Sequence, residues 1–73
     1  MRLLYKNESG VTRTDLVSSA YAEGTSLMCS TENLGSEVYC EIELGSEQAV
    51  EEAIVSLAKN GYFDARAYMV EIY

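Results

Sequence analysis

Residues 37–44 read EVYCEIEL. Val38, Cys40, Ile42 and Leu44 are apolar, and Glu37, Tyr39, Glu41 and Glu43 alternate with them. A period of two held over eight residues predicts a strand with one face in a core and the other in water. The segment directly after this strand decides the fold. Gly45 stops the strand and Ser46 is a strong N-cap. Val50, Ala53, Ile54 and Leu57 then fall at i, i+3, i+4 and i+7 on one helical face. Glu47, Glu51 and Glu52 favour the helix start, Lys59 the last turn, and Asn60-Gly61 a left-handed stop, which predicts a helix over about Glu47–Asn60.

Working outward, Met1–Lys6 predicts a short strand with Leu3 and Tyr5 on one face. Asn7-Glu8-Ser9-Gly10 is a turn cluster, so the sequon that Asn7 begins reads as turn chemistry. Val11–Ala22 admits two readings. Val17, Ala20 and Tyr21 have helical spacing, whereas the valine, threonine and serine content and the preceding turn favour a hairpin. Strand is preferred for Val11–Ser18. Thr25–Thr31 predicts another strand and Asn33–Ser36 a loop. Tyr62 and Phe63 suggest an aromatic plug over the helix end. Arg66–Tyr73 predicts a last strand with Tyr68, Val70 and Ile72 inward. The expected fold is α+β: a small two-layer sandwich, with a four- to five-stranded, mostly antiparallel sheet and one helix on one face. If the strands flanking the helix were parallel, their crossover would be right-handed.

Seventy-three residues make a single compact domain, 1–73, and a chain this short buries only about 60% of its unfolded surface. An apolar content of 48% is too high for intrinsic disorder. No apolar run has the length of a secretory signal or a membrane span, which predicts a cytoplasmic protein. Cys29 and Cys40 are too few for a disulfide scaffold, and a bridge between them requires neighbouring strands.

Little in the chain suggests catalysis. There is no His to serve a Ser or Cys nucleophile. No phosphate-binding glycine loop, zinc set or calcium loop is present. The glutamate pairs Glu41/Glu43 and Glu51/Glu52 lack a shaped pocket that could split their pKa values. A non-enzymatic protein without a cofactor is expected.

The charge layout is the strongest functional signal. Net charge is −7, and between Arg13 and Lys59 there are nine acids and no base. Such a surface repels nucleic acid and anionic membranes and suits a basic protein partner. Glu37, Glu41 and Glu43 line one strand face. Alternate residues there are about 6.6 Å apart, comparable to the spacing of phosphates along a nucleic-acid strand. Tyr39 stands within the row, and Met69 and Tyr73 flank it if the last strand is adjacent. Glu37, Tyr39, Glu41, Glu43, Glu51 and Glu52 are therefore the candidate partner-binding residues. The general profile is similar to that of compact acidic inhibitors, including many anti-CRISPR and antirestriction proteins of phages and mobile elements, although no motif of one family is matched. That likeness implies a protein, acting in a host cytoplasm if phage-encoded, that blocks a nucleic-acid-binding protein or complex in part by phosphate mimicry; a monomer or homodimer is expected. The alternative is a self-associating structural or adaptor domain, with Tyr68–Tyr73 as the pairing edge.

Overall fold

The computed structural model describes residues 1–33 and 35–73; the part of the expected Asn33–Ser36 loop at Leu34 lies outside them. The chain forms β1 (Arg2–Lys6), β2 (Thr12–Glu23), β3 (Ser26–Asn33), β4 (Ser36–Glu43), α1 (Glu47–Asn60), β5 (Tyr62–Asp64) and β6 (Val70–Ile72). One six-stranded sheet runs β5-β1-β2-β3-β4-β6. All pairings are antiparallel except β1 with β5. The fold is thus α+β, one helix on a mostly antiparallel open sheet.

The alternation in β4 does what its pattern implies. Cys40 and Ile42 are buried on the helix side, continued by Leu44, while Glu37, Tyr39 and Glu43 are exposed on the other. Leu27 and Cys29 stand opposite Ile42 and Cys40. Leu3, Tyr5 and Val17 extend this inner face, and Val50, Ala53 and Leu57 of α1 close over it. The helix is capped as its sequence requires. Ser46 Oγ accepts from the Ala49 N–H at 3.1 Å, and Gly61 takes φ +79°, where a Cβ would be strained. Among turns, Asn7 Oδ1 accepts from the N–H groups of Ser9 and Val11, both at 3.0 Å.

Three expectations change. First, Tyr62–Asp64 is not a plug. It is β5, which pairs with β1 in parallel and adds a strand to the sheet. The Arg2 N–H donates to Gly61 O at 2.8 Å, so the helix stop feeds this strand directly. Second, the last strand is shorter than Arg66–Tyr73. Residues 65–69 bridge opposite edges of the sheet, and Tyr68 lies in that link, exposed and stacked on Phe63 with ring centroids 6.3 Å apart. Because β4 runs antiparallel both to β5 and to β6, the parallel-crossover rule does not apply to the strands after α1. Third, the strand preferred for Val11–Ser18 is present but longer, running as β2 from Thr12 to Glu23, and it carries a β-bulge. Val17 faces Thr31 and Ser19 faces Ser30, which leaves Ser18 as the extra residue.

The bulge and the short link together require a coiled sheet. Six strands laid flat would separate β5 from β6 by about 24 Å. The chain from 64 to 70 reaches at most about 22 Å when extended, and a turn shortens it further, with the Tyr68 N–H bonded to Ala65 O at 3.1 Å. The edges therefore curl toward each other. Lys6 at the end of β1 and Val70 and Ile72 of β6 line one shared cleft.

Inside the curl, Tyr5 donates its hydroxyl proton to Asp15 Oδ2 at 2.7 Å. Both are buried, and burial together with this bond pushes the Tyr5 phenol up to about 12. Cys29 and Cys40 are buried, free and directly opposed. The thiol of Cys29 is held far above its ordinary range by its bond to Cys40 and by burial.

Candidate functional site

The outer face of β4 lies between β3 and β6. Registration brings Glu43 beside Ser26, Tyr39 beside Ser30, Glu37 beside Glu32, and Glu41 between Met28 and Glu71. Glu23, opposite Ser26, extends the same face. Six glutamates, Glu23, Glu32, Glu37, Glu41, Glu43 and Glu71, therefore share one surface of β2, β3, β4 and β6. The bases lie elsewhere. Arg2, Lys6 and Arg13 lie on the β1–β2 hairpin, Lys59 at the helix end and Arg66 in the link after β5. Arg66 is paired with Asp64 at 2.8 Å and Arg13 approaches Asp15 at 3.8 Å.

Hydroxyl groups that sequence reasoning had not singled out hold the carboxylates in place. Ser30 donates to Glu37 at 2.5 Å. Ser26 lies 3.1 Å from Glu41 and 2.9 Å from Glu43. The Gly45 N–H donates to the other oxygen of Glu43 at 2.9 Å. Bonds from Thr25, Ser26 and the Gly45 backbone hold the Glu43 carboxyl below its usual range. Tyr73 reaches Glu41 at 2.6 Å and Glu71 at 3.2 Å, and the carboxylate of Glu41 keeps the Tyr73 phenol protonated up to about 12. The signal for Ser26 and Ser30 was available in the sequence as polar residues alternating along β3, but their partners depend on cross-strand register.

A serine or tyrosine hydroxyl has one proton to give. Ser26 and Tyr73 each lie against two carboxylates, so Glu41, Glu43 and Glu71 present more acceptors than the site has donors. Two glutamate pairs, Glu32–Glu37 and Glu41–Glu71, also stand directly opposite on adjacent strands. Like charges in that position destabilise a sheet.

The remaining predicted residues divide. Tyr39 is on this face and 57% exposed. Met69 and Tyr73 flank the row as expected, at 76% and 67% exposure. Glu51 and Glu52 do not join it. They are exposed on α1, in the layer on the opposite side of the sheet. Asp15, one of the nine acids in the base-free run, belongs to the core, and Glu41 is only partly exposed. Among the described residues no cluster has metal-ligand character, and no helix is long and apolar enough to cross a membrane.

Comparison with family models, curated proteins and solved structures finds no match for this chain.

Proposed function

We propose that this is a small acidic binding protein that occupies the basic surface of a nucleic-acid-binding protein and blocks it, in the manner of anti-CRISPR and antirestriction inhibitors. Its outer-face carboxylates stand in for phosphates. The observation that carries the reading is the two directly opposed glutamate pairs, Glu32–Glu37 on β3–β4 and Glu41–Glu71 on β4–β6. A sheet stabilised only for its own sake would place a base at one member of each pair. An arrangement that opposes folding and attracts cations is one that a cationic partner can relieve. The serine and tyrosine hydroxyls restrict the carboxylates before binding, which lowers the entropy lost on association. Tyr39 supplies an exposed aromatic anchor inside the charged row.

The test is retention on the immobilised protein from nuclease-treated lysate. Nucleic-acid-binding proteins should be retained, and added duplex DNA should displace them. The triple variant Glu37→Gln, Glu41→Gln, Glu43→Gln should lose them through a slower on-rate and a flatter salt dependence. Tyr39→Ala should instead raise the off-rate. Glu51→Gln with Glu52→Gln should have the smaller effect, since the helix layer faces away. Unchanged retention by the triple variant overturns the reading. A second reading, self-association, is favoured by one observation: β5 and β6 are edge strands without a further partner among the described residues.

A further inference from the structure

We infer that the partner contributes an extended basic segment, which adds to the sheet as a strand along the open edge of β6. This inference rests on the acidic-face reading above and specifies the form of its ligand. Backbone geometry defines the edge. The Tyr73 N–H donates to Tyr39 O at 2.8 Å, and the ladder pairs Glu71 with Glu41. In an antiparallel ladder, hydrogen-bonded and non-hydrogen-bonded pairs alternate. Glu71 therefore turns its N–H and C=O toward β4, while Val70 and Ile72 turn theirs outward. Two donors and two acceptors stand ready for an incoming strand.

The side chains dictate what that strand carries. A residue placed opposite Glu71 would occupy a non-hydrogen-bonded position, where side chains approach most closely. It would project onto the outer face, beside Glu71 and Glu41, where acceptors exceed donors. Lysine or arginine suits that position. Residues opposite Val70 and Ile72 would project to the inner side, where Ile72 is 51% exposed and Val70 half-buried, and β-branched apolar residues suit them. The preferred segment alternates basic and apolar residues. A second copy of this chain is disfavoured as occupant, because pairing β6 with β6 would bring two Glu71 side chains and two net charges of −7 together.

The probe is the blocked peptide Lys-Val-Lys-Val-Lys, compared with the same peptide N-methylated at both valines and with the rearranged Lys-Lys-Lys-Val-Val. Amide hydrogen exchange in isotope-labelled protein reads the edge directly. The alternating peptide should slow exchange at Val70 and Ile72 by about tenfold or more, with little change at Glu71, which is already bonded. The N-methylated and rearranged peptides should bind about tenfold more weakly. Ile72→Pro, which deletes an outward N–H at an edge position where proline is tolerated, should weaken the alternating peptide similarly. Equal binding by the N-methylated peptide, absence of slowed exchange at Val70 and Ile72, or no peptide binding at all overturns strand addition. Protection of both amides by concentration-dependent dimerisation without peptide also overturns it, in favour of a second copy. None of these results depends on the lysate experiment, whose failure would show as unchanged retention by the triple glutamine variant.

Discussion

The two faces of the β3–β4 ladder use the same backbone pairing for opposite ends. On the inner face, Leu27 meets Ile42 and Cys29 meets Cys40, all buried under α1. On the outer face, Ser26 meets Glu43, Met28 meets Glu41, and Glu32 meets Glu37. The inner pairs stabilise the fold by removing apolar surface from water. Among the outer pairs, Glu32–Glu37 sets like charges opposite each other and partly offsets that gain. A small domain has little stability to spare, so the contrast separates residues that stabilise the fold from residues that do not.

Removing inner-face packing should have the largest effect. Leu57 is 1% exposed at the centre of the helix–sheet contact. Leu57→Ala should cost about 2–5 kcal/mol in urea unfolding, against a change within about 0.5 kcal/mol for exposed Lys59→Ala. A wild-type midpoint for Leu57→Ala would break the comparison at its stable side.

Next is the polar pair inside the curl. Asp15→Ala leaves the buried Tyr5 hydroxyl without its acceptor and should cost about 1–3 kcal/mol. The pH dependence has a definite sign. The Tyr5 phenol is raised from 10.0 to about 12 in the folded protein, so its contribution is complete below pH 10 and is lost as pH rises toward 12. Ultraviolet titration should show the Tyr5 and Tyr73 phenols ionising near pH 12 instead of near the ordinary 10.0. Asp15→Ala should lower the Tyr5 value only in part, because burial is its larger cause.

Cys40→Ala should cost about 1 kcal/mol through lost packing. The two cysteines should also remain thiols in protein taken from a reducing cytosol, as mass spectrometry would show. The Leu44 N–H donates to Thr25 O, and alternation from that bond places Cys29–Cys40 at a hydrogen-bonded pair. Opposed side chains are wider apart there than at the intervening pairs, whereas a disulfide draws Cβ atoms to about 3.5–4.5 Å.

The smallest effect has the opposite sign. Glu32→Lys converts one opposed pair into an attractive one and should stabilise the free protein by about 0.2–1 kcal/mol, while weakening capture of a basic partner. A variant that is more stable and binds less well would sharpen the comparison. A loss of stability would show that the outer face is not held against its own repulsion.

Local pattern was enough for the helix and for β4. Ser46, the apolar positions Val50, Ala53 and Leu57, and Gly61 all act within a few residues of one another, and strand alternation needs only neighbours along the chain. The sequence by itself also determined that acids would dominate the middle of the chain and bases its ends. Tertiary structure decided the rest, because the deciding partners are distant in sequence. The Ser18 bulge changes the inward spacing from two to three between Val17 and Ala20, which is why a strand there resembled a helix. β5 exists as a strand only because β1 offers it an edge, and Tyr68 leaves the last strand because a short link must cross the curled sheet. Register alone sets Glu32 against Glu37 and Glu71 against Glu41, supplies Ser26, Ser30 and Tyr73 as donors, and leaves Glu51 and Glu52 in the other layer. A one-residue slip in either ladder would change every one of those cross-strand partners, so no reading along the chain could assign them.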